Sequence, residues 1–250
     1  MEITYTFMII ITILALILTI FFRNHKITIK VGLLSWVSLS VYFHIEYIVI
    51  QATTSPYKFL KQPMSDLGVT TCDFNTHPLA PYEICSPYHL LMNWTFTFTG
   101  IVIIVGAVGL HRFWPRNKKT IIATGLLVIY GLSYNISGIF PADINFLLHT
   151  LGSLPGMIVQ IPALILIGIS IHKTMPKLAF WTYVPTILTT SSLILLFFQP
   201  FIMYLPGGLL QRILYGSVFL WMTITAIVLW KKTGIVIYAH IYRKGISPLL

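Results

Sequence analysis

Residues 90–110 read LLMNWTFTFTGIVIIVGAVGL, a run with no charged side chain. At about 1.5 Å per residue a helix of this length covers roughly 30 Å, the thickness of a bilayer's hydrocarbon core. Hydrocarbon offers no partner to a free N–H or C=O, so the run must close its backbone hydrogen bonds within itself, as a helix. Six further runs read the same way: Tyr5 to Phe22, Val31 to Gln51, Thr120 to Ile139, Leu148 to Ile171, Leu178 to Phe198 and Ile213 to Trp230. Barrel strands would be shorter and would alternate apolar with polar positions. The composition of the 250 residues agrees, 56% hydrophobic and 9% charged, far from the balance of a soluble domain. The expectation is an all-α, polytopic transmembrane helical bundle of seven spans. Residues 1–250 would form a single integral membrane domain, with one long connection at 52–89.

Charge sets the expected orientation. Of the 16 Lys and Arg, 13 fall in alternate connections: Arg23, Lys26 and Lys30; Arg112, Arg116, Lys118 and Lys119; Lys173 and Lys177; Lys231, Lys232, Arg243 and Lys244. Basic residues accumulate on the cytoplasmic side, so the N-terminus is expected outside and the C-terminus in the cytoplasm. The remaining bases, Lys58, Lys61 and Arg212, share the exported side with Glu2, Asp66, Asp73, Glu83 and Asp143, and Glu46 sits in the outer half of the second span. Met1 to Thr4 carry an acid and no base, which suits an uncleaved anchor rather than a signal peptide. The net charge of +10 then reflects topology and anionic lipid, with no motif for nucleic acid around it.

Both cysteines, Cys72 and Cys85, lie in the exported 52–89 segment, where an oxidising compartment favours a disulfide between them. Long connections with defined chemistry tend to be lids or binding loops. In this one Pro63 sets an entry turn, and Asp66 either caps a short helix or serves a site. His77 reads as an interfacial residue.

Polar groups inside or at the edge of a membrane are costly, and their positions carry information. His89, Asn93 and Thr97 recur at four-residue steps on one face of the third span, and His149, Ser153, Gly156 and Gln160 form a similar stripe on the fifth. Gly152 and Gly156 make a small-xxx-small pair suited to close helix packing. Asp143 lies in the tight turn after the fourth span and Arg212 at the outer mouth of the seventh. Glu46, inside a span, must point inward toward His89, His149 or Arg212, or stay protonated.

Several of these stretches together carry a resemblance. Met64-Ser65-Asp66-Leu67-Gly68, Ser86-Pro87 leading to Asn93, Gly138-Ile139-Phe140-Pro141-Ala142-Asp143 followed by His149 and Gly152, and Gly207-Gly208-Leu209-Leu210-Gln211-Arg212 appear in this order on one side of the membrane. In this the chain resembles the bacterial multi-pass membrane family known as domain of unknown function 998, from the second span onward. It departs from the family's pattern at Gln211, where an acid is usual. The resemblance implies a bacterial cell-membrane protein and supplies no mechanism.

Chemistry therefore has to be read from the residues. No span contains the lysine a retinal protein requires, and the P-loop, the dinucleotide fingerprint, G-x-S-x-G and H-E-x-x-H are all missing from the sequence. No metal-ligand spacing stands out, and no cofactor is indicated. Two site hypotheses follow. In the first, an enzyme of the outer membrane face has a polar cleft open to the extracytoplasmic side, in which His89 or His149 is the general base, Asp66 or Asp143 orients it or binds a metal, and Arg212 holds an anionic headgroup or developing negative charge. In the second, the same cleft, with Glu46, Asn93 and Arg212, binds or transports a lipidic or small molecule without chemistry. A purely structural role is the third possibility. The cytoplasmic halves of the spans lack ionisable groups, which argues against ion-coupled transport.

Overall fold

A computed structural model describes residues 3–202 and 204–243. Its helices are α1 (Ile3–Phe21), α2 (Ile27–Ser38), α3 (Val41–Gln51), α4 (His89–Leu110), α5 (Lys118–Ile139), α6 (Phe146–Ile171), α7 (Pro176–Phe198) and α8 (Gly207–Arg243). With α2 and α3 counted as one interrupted span, the described residues form seven helices long and apolar enough to cross a membrane. Glu2 and Lys244, both used in the charge argument, lie outside the described residues.

The second span begins at Ile27, earlier than the sequence suggests, because Lys30 can lay its aliphatic stem along the helix and keep its ammonium in the headgroups. It breaks at Leu39 and Ser40. There the hydroxyls of Ser38 and Ser40 bond back to the carbonyls of Ser35 and Val37, a habit that bends helices. Asn117 and Asn145 cap α5 and α6 by accepting from Thr120 N and Leu148 N, each at 3.0 Å. Pro176 opens α7, where its missing N–H costs nothing.

Packing runs α2–α4–α5–α6–α7–α8 and back from α8 to α2, a ring of six spans. Aromatic side chains fill its centre: Tyr42, Phe96, Tyr130, Tyr134, Tyr215 and Phe219 meet at ring separations of 5.1 to 6.5 Å. The close fit of α6 on α5 depends on the glycine pair. A Cβ on Gly152 would stand 2.1 Å from Ile136 and one on Gly156 2.7 Å from Ser133. Helix α1 lies outside the ring against α4 and α5, tied by Thr12 Oγ1 donating to Asn135 Oδ1 at 2.7 Å. Its outer face, with Ile10, Ile13, Leu14 and Ile17 exposed, is a surface for lipid.

The 52–89 connection folds back over one end of the ring. A 3₁₀ turn spans Met64–Gly68, and an antiparallel hairpin pairs Asp73 with Ile84 and Phe74 with Glu83. A disulfide joins Cys72 to Cys85 at the base of that hairpin.

Candidate functional site

Every candidate residue reaches the loop-covered end of the bundle, yet they do not meet in one cluster. They divide into four local arrangements, each held by its own part of the loop.

The first joins α3 to α8. Arg212 Nε donates to Glu46 Oε1 at 2.8 Å, with the two residues 9% and 6% exposed. Nη1 is shared among the carbonyls of Phe59, Gln62 and Gly208 at 2.9, 3.1 and 3.0 Å, and Nη2 meets the Tyr57 hydroxyl at 2.5 Å. The Phe59 ring covers the guanidinium at 4.2 Å. Burial holds the Tyr57 phenol above its ordinary pKa, against the pull of the guanidinium. Gly208 makes the approach possible, since a Cβ there would lie 2.3 Å from the Gln62 carbonyl oxygen and 2.7 Å from that of Phe59. These are the carbonyls that receive Arg212. Gln211, next to Arg212 in the chain, accepts from Met64 N at 2.8 Å. The acid that pairs with Arg212 comes from α3 instead.

The second arrangement is centred on Asp66, which caps nothing. The 3₁₀ turn has no side-chain cap, and the buried carboxylate instead accepts from His77 Nε2 at 3.1 Å and from the Tyr82 hydroxyl at 2.8 Å. Leu79 N donates to His77 Nδ1, so that nitrogen carries no hydrogen and Nε2 does. Both ring nitrogens are thereby engaged, and the imidazole stacks on Phe146 at 5.7 Å. His77 is thus a latch between loop and α6 rather than an interfacial ornament. Burial, and then the Asp66 carboxylate, raise the Tyr82 phenol and keep it protonated as a donor.

Asp143 forms the third. Its Oδ2 accepts from Thr70 N and Thr70 Oγ1 at 2.9 and 2.6 Å and from Thr71 Oγ1 at 3.3 Å, fastening the α5–α6 turn to the loop. Asn93 does similar work from α4, with Nδ2 donating to Gly68 O at 2.8 Å. His89 Nδ1 donates to the Ser86 carbonyl at 3.0 Å, beside the start of its own helix.

His149 belongs to the fourth. Its Nδ1 donates to the Phe140 carbonyl at 2.9 Å. The ring borders a small polar chamber of about 40 Å³ with Ser133, Tyr134, Ser137, Ser153, Gln211 and Tyr215, roofed by Met64 and Ser65. Among the described residues, no three of His, Cys, Asp and Glu gather as metal ligands.

A much larger space than this chamber lies elsewhere, on the flank of the ring. Past the break at Leu39, the α3 backbone stands further from α8 than that of α2 does, meeting it through the side chains of Tyr42, Phe43 and Glu46, and a cleft of about 690 Å³ opens between α3, α8 and α7. Tyr42, Phe43 and Ile50 form one wall, Trp181, Val184 and Leu188 the other, and Ile213, Gly216 and Leu220 the floor. Phe59 and Met64 of the loop close its upper end. The charged groups among its lining residues are Glu46 and Arg212. From Arg212 to Leu220 the floor runs roughly 12 Å along α8, at the ordinary helical rise.

Tyr57, Gln62, His77 and Tyr82 went unread as participants in the sequence. Their signal is compositional: polar ring and amide groups concentrated around Asp66 in a connection bounded by spans.

Fold and site together define a multi-pass helical membrane protein whose loop-covered end is fastened by buried polar groups beside a lateral apolar cleft. The chain belongs to the family described as protein of unknown function (DUF998), whose model matches residues 37–228. That stretch takes in the ring from the end of α2 to α8 and leaves out α1, the helix outside the ring. No curated protein and no solved structure matches the chain.

Proposed function

We propose that this protein is a non-catalytic binder of a lipidic amphiphile, taken laterally from the bilayer into the cleft between α3, α7 and α8. The observation that carries the reading is the cleft itself: about 690 Å³, walled by aromatic and aliphatic side chains, with one ion pair toward its loop end. Ligand sites commonly combine that range of volume with few polar groups. The enzymatic alternative draws on His149 and its serine neighbours. Their chamber of about 40 Å³ has space for ordered water and none for a substrate. The carboxylates proposed to assist, Asp66 and Asp143, are occupied in holding the loop.

The test is photolabelling in lipid nanodiscs with a single-chain fatty alcohol bearing a diazirine. Labelling should map to cleft residues on α3, α7 and α8. Val184→Trp, which fills the cleft from its lipid-facing rim, should reduce that labelling about tenfold, the loss of roughly 1.4 kcal/mol of affinity. Unchanged labelling at the same residues in the folded variant would remove the cleft as the site.

We also propose that the loop-covered end faces outward from a cell membrane, with the C-terminus in the cytoplasm. The distribution of Lys and Arg supports this orientation. Reporter fusions after Lys119, Lys177 and Lys232 should signal cytoplasm and fusions after Pro78 and Pro206 the exterior. The reverse pattern would invert the assignment.

A further inference from the structure

The cleft also carries information about the polar end of its ligand. Arg212 looks at first like an anchor for a carboxylate or phosphate, since its planar fork suits bidentate capture of such groups. The fork is already used. Nε is committed to Glu46, Nη1 to three backbone carbonyls and Nη2 to Tyr57, which leaves one Nη2 hydrogen over. A single N–H offers no bidentate contact, and an incoming anion would stand beside the Glu46 carboxylate.

Glu46 is in the opposite condition. Its Oε1 takes the guanidinium, whereas Oε2 has no hydrogen-bond partner among the described residues. Nor is Oε2 among the polar atoms sealed without a partner, so it keeps accessible surface although the residue is 6% exposed. Glu46 lines the cleft. A carboxylate oxygen in an apolar space calls for a donor, because a carboxylate can only accept and leaving it unmet is costly.

We infer that the cleft selects an amphiphile ending in a neutral hydroxyl, whose O–H donates to Glu46 Oε2, over chains ending in a carboxylate, a phosphate or an ammonium. The inference rests on the cleft being a ligand site. A hydroxyl gives up little hydration on entering, and it also has a lone pair to offer the spare guanidinium hydrogen. An ammonium would be drawn to Glu46, but it must lose its hydration shell and settle next to Arg212. The ligand class is therefore a long-chain alcohol or a lipid with a free hydroxyl at the head of one chain.

The experiment is displacement of the diazirine probe from wild-type protein in nanodiscs by 1-dodecanol, dodecanoate, dodecyl phosphate and dodecylamine. Dodecanol should displace the probe at a concentration about tenfold below the other three. Glu46→Gln keeps the volume and its hold on Arg212 but turns an N–H₂ toward the cleft. In this variant the preference for the alcohol should vanish or reverse toward the anions. The wild-type ranking decides the matter even if Glu46→Gln fails to fold. Equal displacement by all four, or preference for an anion or the amine, would overturn the hydroxyl assignment while leaving the cleft as a lipid site. If none of the four displaces the probe and Val184→Trp labels as wild type does, the cleft reading fails with it.

Discussion

Arg212→Ala is expected to lose about 3–5 kcal/mol of folding stability, the usual result of breaking a buried pair and stranding one partner. The substitution leaves the Glu46 carboxylate buried without its cation, and it uncovers the carbonyls of Phe59, Gln62 and Gly208 together with the Tyr57 hydroxyl. Arg212→Lys keeps the charge but replaces a planar fork with a point donor, so it should fall between, at roughly half the loss. The measurement is thermal unfolding of detergent-purified protein followed by tryptophan fluorescence, with monodispersity checked by gel filtration. Pairing the change with Glu46→Met should recover part of the loss, because the stranded charge is then gone. Stability of Arg212→Ala within about 1 kcal/mol of wild type would show that the clasp is not closed in the protein.

Asp66→Ala is expected to cost about 3 kcal/mol, concentrated in the loop, since two hydrogen bonds to a buried carboxylate disappear and strand His77 Nε2–H and the Tyr82 hydroxyl. Asp66→Asn should cost about half as much, as the amide retains one accepting oxygen for two donors. Hydrogen exchange reads this directly: amides of residues 62–86 should exchange faster in both variants, with α4 to α6 unchanged. The pair of variants also separates a structural role from a catalytic one. A catalytic Asp66 would give an Asn variant as well protected as wild type and functionally silent. A fastening role gives faster exchange with labelling in the α3/α7/α8 cleft preserved. Normal protection in Asp66→Ala would contradict the latch.

The first of these predictions concerns residues that stood out in the sequence for their cost. A carboxylate at position 46 inside a span and an arginine at position 212 at a helix mouth are expensive wherever their partners lie, and this is visible without a fold. That they hold each other across 166 positions of chain is a matter of which helices end up adjacent. The sequence left Glu46 three possible partners, and the packing order, which sets α3 next to α8 at the loop end of the cleft, selected one. Asp66 shows the reverse case. Its local context suggested a helix cap, but the short turn leaves its backbone bonds to Pro63 and Val69, and the carboxylate is free to take more distant donors.

The spans, their number and the break between transmembrane and loop segments follow from the sequence alone. Bilayer thickness and the lack of hydrogen-bond partners in lipid act on each run of residues locally, so a run's composition is enough to decide its form. Glycines at positions 152 and 156 likewise announce close packing before any neighbour is known, because a missing Cβ is a local property. The cleft was not legible. It arises from a two-residue break at Leu39 and Ser40, after which the α3 backbone stands further from α8, and from the loop folding back to roof the gap. Those are relations among segments far apart in the chain, set by how whole helices pack, and tertiary structure alone decided them.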